Sequence, residues 1–200
     1  MAKFLLDSAD INEIKKWSPF ISGVTTNPIL LEKAGTTPME LYGSLAKLIL
    51  PIGFKLFIQV VNRKSLIPYT SSNIIDVIYK VPLIKSLNYL LTALKIDKLK
   101  TCGTMTYDII QLQTAINLDA NYCIILYHKN ENKMFGLDAS DLKRTLKSEI
   151  ELIGASFRNK EEVTDAIIEG MDYVTISPQT MEVCFNNSFT INDYNDTYYR

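Results

Sequence analysis

Short runs rich in apolar and β-branched residues alternate with helix-like segments along the whole chain. Most of these runs lack strict alternation of polar and apolar residues, which is typical of strands covered on both faces. The segments between them carry helix signals, such as Thr37, Pro38 and Glu40 at one start and Gly170 at one end. The eight predicted strands lie at residues 3–7, 22–28, 54–61, 76–82, 99–105, 121–128, 150–156 and 172–178.

Eight strands that each lead into a connecting segment predict an α/β protein with a (β/α)8 fold, the TIM barrel. An open, doubly wound sheet of similar content is the alternative. No GxGxxG loop follows any predicted strand, which counts mildly against an open sheet that binds nucleotides.

The connecting segments predict a short form of this barrel. Ser8 is predicted to cap the first helix, whereas the third connection at residues 62–73 contains Pro68, which predicts a shortened third helix. Residues 1–184 are predicted to form a single barrel domain. Residues 185–200 are polar and rich in asparagine, so we expect a tail in place of a full C-terminal helix.

Composition narrows the class of protein. The 200 residues are 47% hydrophobic and 22% charged with a net charge of −1, so we expect neither nucleic acid nor an anionic membrane as a partner. The most apolar stretch, residues 48–61, is interrupted by Pro51, Gly53 and Lys55, which argues against a membrane span. The N-terminus does not resemble a signal peptide and the three cysteines lack CxxC spacing, so a cytoplasmic protein with reduced thiols is predicted.

Polar side chains stand near the carboxyl ends of seven of the eight predicted strands, which is where a (β/α)8 barrel carries its active site. Any one of them alone is explained equally well as a turn residue or as the cap of the next helix, and we favour that interpretation for Thr26, Thr106 and Ser177. Together they predict a polar pocket that contains a cation. In strand order they are Asp7, then Thr25, Thr26 and Asn27, then Gln59, Lys80, Thr104 and Thr106, then Ser156 with Arg158, and Ser177.

Lys80 is the most informative of these residues because it interrupts an apolar strand, "VIYKVP". Side chains alternate along a strand, so Ile78, Lys80 and Pro82 share one face. If that face is inside the barrel, burial lowers the pKa of the amine, and a neutral amine can form a Schiff base with a carbonyl. If it is outside, Lys80 is a lysine that snorkels between helices and sheet. These residues alone leave both interpretations open.

The turn "GASFR" at residues 154–158 is a candidate phosphate site. Backbone N–H groups entering the next helix, the Ser156 hydroxyl and the Arg158 guanidinium are suitable donors for a phosphate. An ordinary cap turn with an exposed arginine explains the same residues equally well. His128 is the single histidine and no carboxylates have metal-ligand spacing, so no metal and no cofactor are expected.

Five motifs resemble, in order and with compatible spacing, the small transaldolase-like family of class I aldolases, and especially its fructose-6-phosphate aldolase branch. The resemblance runs from residue 3 to about residue 180, and the combination of TTNP with KVP is its most specific part. The motifs are "FLLDSAD", "GVTTNPILL", "YKVP", "GTMTYDIIQ" and "ASFRNKEEV".

The resemblance implies a catalytic role for several of the strand-end residues. Lys80 would form the Schiff base with a dihydroxyacetone unit, and Asp7 and Asn27 would bind and orient the hydroxyls of the substrate. Gln59 matches a position that helps to hold the catalytic water, where the transaldolase branch has a glutamate. No cofactor is needed, because the iminium itself accepts the electrons of the breaking C–C bond.

The resemblance also implies a sugar phosphate as the substrate and a homo-oligomer as the assembly. Thr104 and Thr25 would line the substrate pocket, and Ser156 and Arg158 would bind the phosphate of the aldehyde. Lys129 stands where the family uses an arginine for phosphate. Relatives assemble as pentamers or decamers in which a C-terminal helix packs on a neighbouring subunit, and the short C-terminal segment of this chain counts against that assembly.

One position departs from the fructose-6-phosphate aldolase branch, which uses a tyrosine on the sixth strand to hold the catalytic water. The alignment places Leu126 there and Tyr127 one residue later, and a shift of one residue turns a side chain to the other face. Either a bulge returns Tyr127 to the inner face, or the tyrosine is absent. In the second case His128, which has the same parity as Leu126, is the candidate substitute.

Three functions remain open from the sequence. The first is an aldolase of carbohydrate metabolism that cleaves fructose 6-phosphate into dihydroxyacetone and glyceraldehyde 3-phosphate. The second is a transaldolase of the pentose phosphate pathway that transfers the dihydroxyacetone unit between sugar phosphates. The third, suggested by Leu126 and the short C-terminal segment, is a barrel without catalytic activity that serves in binding or assembly.

Overall fold

A closed barrel of eight parallel strands forms the centre of the protein. The structure, a computed structural model, describes residues 2–60, 62, 74–127, 139–146, 148–186, 190 and 197. The strands pair in chain order and β8 pairs with β1, so the predicted (β/α)8 barrel is confirmed. The strands are β1 Lys3–Asp7, β2 Gly23–Thr25, β3 Phe54–Gln59, β4 Ile75–Pro82, β5 Lys100–Thr106, β6 Tyr122–Leu126, β7 Glu151–Ala155 and β8 Tyr173–Ile176.

Helices cover the outside of the barrel. The described helices are α1 Ile11–Trp17, α2 Pro28–Lys33, α3 Pro38–Leu45, α4 Asn88–Ile96, α5 Ile109–Asn117, α6 Ala139–Leu146, α7 Lys160–Ile168 and α8 Pro178–Phe185. Two helices follow β2 where the sequence predicted one, because Asn27 and Pro28 start a short additional helix before the predicted one. No helix in the described part of the chain has the length and apolar character needed to cross a bilayer.

Local capping signals were predicted correctly in two places and wrongly in one. Thr37 and Glu40 form the predicted capping box at the start of α3, and Gly170 follows the end of α7 with a φ of 86°, a conformation that favours glycine. The prediction for Ser8 was wrong. Asp10 caps α1 by accepting the N–H of Asn12, while the Ser8 hydroxyl oxygen accepts the N–H of Asp10.

Thr37→Ala is expected to lower the free energy of unfolding by about 1 kcal/mol, the usual cost of losing a helix N-cap. The Thr37 hydroxyl accepts the N–H of Glu40, and the Glu40 carboxylate accepts the N–H of Thr37. Urea unfolding measures the loss. The matched control is Thr164→Ala, because Thr164 is an exposed threonine inside α7 where alanine is the better helix former. Equal destabilisation by both variants would contradict the role of the cap.

Two predictions fall largely on residues outside the described ranges. The shortened third helix was predicted at residues 62–73, of which only residue 62 is described. The polar tail was predicted at residues 185–200, of which residues 185, 186, 190 and 197 are described. The boundary between domain and tail therefore stays a prediction.

Two apolar clusters define the inner and outer faces of the strands. The outer cluster fills the layer between strands and helices, and the inner cluster fills the barrel itself. Because side chains alternate along a strand, membership of a cluster identifies the face of every other residue on that strand. The inner cluster consists of Leu5, Phe57, Ile78, Cys102, Tyr122, Ile124, Ile153, Ala155 and Tyr173, with Leu126 packed against it.

Charged side chains cluster at the amino-terminal end of the barrel. Asp76 at the start of β4 accepts from Lys100 Nζ at 2.6 Å and lies 3.7 Å from Lys55 Nζ. Lys55 Nζ in turn lies 5.8 Å from the centre of the Tyr122 ring. Lys55, Asp76 and Lys100 therefore pair with one another at the amino-terminal end of the barrel, opposite the carboxyl ends of the strands.

Candidate active site at the carboxyl end of the barrel

Lys80 points into the barrel. It lies two residues after Ile78 of the inner cluster, and its strand partners Gln59 and Cys102 also stand on the inner face. Its residue surface is only 5% exposed. Of the two orientations that the sequence left open, the structure has the inward one, and the snorkelling lysine is not observed.

The environment of Lys80 favours the neutral amine. Burial lowers the pKa of Lys80 below the ordinary value for lysine, and the Asp7 carboxylate and Cys102 oppose this shift in part. A lysine with a lowered pKa is a better nucleophile at neutral pH, because a larger fraction of it carries a free electron pair.

Asp7 is held by a pair of threonines. The Thr25 hydroxyl donates to Asp7 Oδ1 at 2.7 Å, and Thr25 Oγ1 lies 2.6 Å from Thr175 Oγ1. Thr175 on β8 was missed by the sequence analysis, which took Ser177 from the same run. Ser177 instead caps α8 by accepting the N–H of Thr180. The alternation of side chains along "YVTIS" could have identified Thr175, because it places Thr175 on the same inner face as Tyr173.

Gln59 and Thr104 complete the inner face around Lys80. Gln59 is the strand partner of Lys80 on β3 and is half-buried. Thr104 lies two residues after Cys102 on β5 and so shares its inner face. It is buried beside its strand partner Pro82. The barrel thus places a carboxylate, an amide and a hydroxyl on the face that carries the lysine amine.

Asn27 lies just beyond the carboxyl end of β2 and caps the helix that follows. Its side-chain oxygen accepts the N–H of Leu30 at 3.0 Å and so caps α2. The cap uses the oxygen, so the amide nitrogen is the atom with which Asn27 would donate to a ligand hydroxyl.

Thr26 and Thr106, for which the sequence favoured a structural role, both have such a role. Thr26 Oγ1 donates to the Phe57 carbonyl at 3.3 Å. On β5 the register shifts between Gly103 and Thr106, and Met105 between them has a φ of 59°. This bulge turns Thr106 outward, where its hydroxyl contacts Cys123 of the outer cluster at 3.1 Å.

The turn after β7 exposes Ser156 and Arg158 at the carboxyl end of the barrel. Ser156 has a φ of 70°, a strained conformation for serine that tends to occur at functional sites. Two backbone donors of this turn already have partners, because the N–H of Arg158 donates to Glu162 and the N–H of Glu162 donates to Asn159. A phosphate here would therefore depend mainly on the Ser156 hydroxyl and the Arg158 guanidinium.

Curated proteins of similar sequence carry related names. Over 217 aligned residues the chain is 26% identical to a probable fructose-6-phosphate aldolase of Streptococcus pneumoniae, which covers 98% of this chain and 96% of that protein. It is 26% identical to a probable transaldolase of Caulobacter sp. and 27% identical to one of Coprothermobacter proteolyticus, each covering 94% of this chain and 91% of the relative. No family model matches the chain. Over nearly its whole length the chain is therefore similar to proteins named as members of the transaldolase and fructose-6-phosphate aldolase family.

Position 126, at the end of β6, carries an apolar side chain. The pairing of β6 with β7 runs without a shift from Tyr122 to Leu126, so no bulge changes the register. Leu126 packs against the inner cluster. Tyr127 faces the outer layer, where its ring packs 5.2 Å from the Phe157 ring and its hydroxyl donates to Glu169 at 2.6 Å. Tyr127 therefore does not reach the face that carries Lys80.

Gly154 explains in part why Tyr127 fits on the outer face. A methyl group at position 154 would come within 2.8 Å of the Phe157 ring and 3.2 Å of the Tyr127 ring, so glycine makes room for both. His128 and Lys129, the other two candidates from this region, lie outside the described residues. Among the residues that are described, no group of three or more His, Cys, Asp or Glu side chains could hold a metal ion.

Proposed function

We propose that this transaldolase-like protein is a class I aldolase that makes and breaks the C–C bond between a dihydroxyacetone unit and glyceraldehyde 3-phosphate. One observation carries the proposal, namely the inward-facing, buried amine of Lys80 with its lowered pKa. The names of the relatives support this class of reaction.

Lys80 would begin the reaction by attacking the ketone carbon of the sugar phosphate. Loss of water then gives an iminium on Lys80 Nζ, which withdraws electrons from the neighbouring bond. Asp7 takes the proton of the hydroxyl next to the scissile bond, directly or through a water. The C–C bond breaks and the aldehyde leaves. The electron pair of the broken bond stays with the dihydroxyacetone unit, which is then an enamine on Lys80.

The second half of the reaction regenerates the amine. A proton returns to the enamine carbon, water adds to the resulting iminium, and dihydroxyacetone leaves with Lys80 restored. Gln59, beside Lys80 on β3, would hold this water, and Thr104, Thr25 and Asn27 would contact the substrate hydroxyls. The electron pair of the broken C–C bond is delocalised onto the iminium nitrogen and returns to carbon when the enamine is protonated.

Arg158→Ala is expected to raise the KM for phosphorylated aldehydes about 10- to 100-fold, the usual effect of losing a hydrogen bond to a charged group. The KM for unphosphorylated glyceraldehyde should change little. Steady-state kinetics with glyceraldehyde 3-phosphate and glyceraldehyde as acceptors compare the two. Arg144→Ala is the matched control, because Arg144 on α6 is exposed and pairs with Asp141. Equal changes in both KM values would refute the phosphate role of Arg158.

Leu126 favours a second candidate function, transfer of the dihydroxyacetone unit to another sugar phosphate. Hydrolysis of the last iminium requires an ordered water, and a leucine on the inner face has no group to hold one. A slow hydrolysis would leave the enamine available for an acceptor aldehyde, as in a transaldolase.

The release of free dihydroxyacetone separates these functions. The protein is incubated with fructose 6-phosphate alone, and dihydroxyacetone and glyceraldehyde 3-phosphate are measured by coupled assays. The proposed aldolase releases both in equal amounts without any acceptor. Product that forms only when an acceptor aldehyde is added identifies a transaldolase. Absence of turnover in both conditions identifies a barrel with a binding or assembly role.

A further inference from the structure

Three side chains on adjacent strands form a continuous hydrogen-bonded chain inside the barrel. Asp7 stands on β1, Thr25 on β2 and Thr175 on β8, with 2.7 Å between the Asp7 and Thr25 oxygens and 2.6 Å between those of Thr25 and Thr175. Thr25 is 1% exposed and Thr175 is 5% exposed. Neither threonine caps a helix, so burial of both hydroxyls needs another explanation.

The chemistry of the groups fixes the direction of this chain. An ionised carboxylate only accepts hydrogen bonds, so the single hydroxyl hydrogen of Thr25 is directed to Asp7. Thr25 Oγ1 can then only accept from its other neighbour, so Thr175 must be the donor in the contact between the two hydroxyls. Each bond in such a series polarises the next and strengthens it.

We infer that Thr175 is a positioning residue, which acts through the Thr25 hydroxyl to hold the Asp7 carboxylate in one orientation. Within the described residues the Thr175 hydroxyl contacts only Thr25. If Asp7 Oδ1 turned away, the buried Thr25 hydrogen would lose its carboxylate acceptor, which costs free energy. The chain therefore favours one orientation of Asp7.

This inference rests on the proposed function, in which Asp7 accepts a proton during cleavage. A base that must take the proton of one particular hydroxyl is helped by donors that fix its orientation. Thr175 itself does not touch the substrate. Its effect should therefore appear in kcat, and the KM for the sugar phosphate should change little.

Thr175→Val tests the inference, because valine keeps the shape of threonine and removes the donor. We expect kcat to fall about 3- to 10-fold, as for loss of one buried hydrogen bond. Thr175→Ser, which restores the hydroxyl, should recover kcat. Thr101→Val is the control, because Thr101 is a buried strand threonine on β5 whose hydroxyl has no hydrogen-bond partner among the described residues.

A readout independent of turnover separates this inference from the proposed function. The carboxyl 13C resonance of Asp7 is assigned by its disappearance in Asp7→Asn. It should move in Thr175→Val, return in Thr175→Ser and stay in place in Thr101→Val. An Asp7 resonance and a kcat that Thr175→Val leaves unchanged would overturn the inference. A responsive resonance in a protein that forms no Schiff base would instead overturn the proposed function.

Discussion

Lys80→Met is expected to lower the rate of aldol cleavage by about 10⁴-fold or more, because methionine cannot form the iminium on which the electron flow depends. The side chain is of similar length, so the packing around Ile78 and Cys102 should be retained. Cleavage of fructose 6-phosphate, followed by the appearance of glyceraldehyde 3-phosphate, measures the loss.

The same substitution is expected to raise the stability of the fold, which separates lost chemistry from unfolding. Burial lowers the pKa of Lys80 in the folded state. At pH values between that lowered pKa and the ordinary pKa of lysine, the unfolded state binds more protons than the folded state. The free energy of unfolding therefore rises with pH over this range. The destabilisation by Lys80 is greatest below the lowered pKa. Lys80→Met removes this penalty. Its midpoint of thermal unfolding at neutral pH should therefore exceed that of the wild-type protein, and the pH dependence due to Lys80 should vanish.

Lys85→Met is the matched control for Lys80→Met. Lys85 follows the same strand but is exposed, so its loss should leave both cleavage and stability nearly unchanged. If Lys80→Met retains substantial activity while Lys85→Met loses it, the nucleophile has been assigned to the wrong lysine. If both variants are active, the covalent mechanism itself fails.

Asp7→Asn is expected to lower kcat by about 10²- to 10⁴-fold, the usual contribution of a general acid or base. Asparagine keeps the shape and can still accept the hydrogen bond of Thr25, so the local structure should persist. The carboxylate also raises the pKa of Lys80. Its removal should lower the pKa of Lys80 further, so the amine becomes neutral at a lower pH.

The two effects of Asp7→Asn are measured separately. Steady-state cleavage gives kcat, while the pH dependence of borohydride-trapped adduct gives the titration of Lys80, and its midpoint should move to lower pH. Asp10→Asn is the control, because Asp10 is an exposed helix cap three residues away and asparagine caps equally well. A midpoint that moves to higher pH, or a kcat within a few-fold of wild type, would show that Asp7 does not act on Lys80 as proposed.

The fold was predictable from the sequence because eight β-rich runs alternate with helical segments and few other architectures suit that order. The orientation of Lys80 was not predictable in the same way. Tyr79 and Val81 are buried in the outer layer, and Ile78 is buried in the inner one. Both faces of β4 are therefore apolar, and the order of apolar residues does not show which face lies inside the barrel. Only the pairing of Lys80 with Gln59 and Cys102 decides it.

Local choices between neighbouring residues were the other limit of the sequence. Ser8 and Asp10 are both good helix caps, and only the backbone geometry of the turn selects Asp10. Leu126 and Tyr127 both fit the sixth strand, and the unbroken pairing of β6 with β7 places the tyrosine outside. Thr175 was overlooked because its importance comes from contacts with Thr25 and Asp7, which are distant in the sequence.

Trapping the covalent intermediate tests the central claim most directly. The wild-type protein is incubated with dihydroxyacetone or fructose 6-phosphate, reduced with borohydride, and analysed by intact mass and by mapping of the modified peptide. We predict a single stable adduct on Lys80 that is absent from Lys80→Met. An adduct on Lys85 instead, or no adduct under conditions in which the protein turns over substrate, would contradict the account.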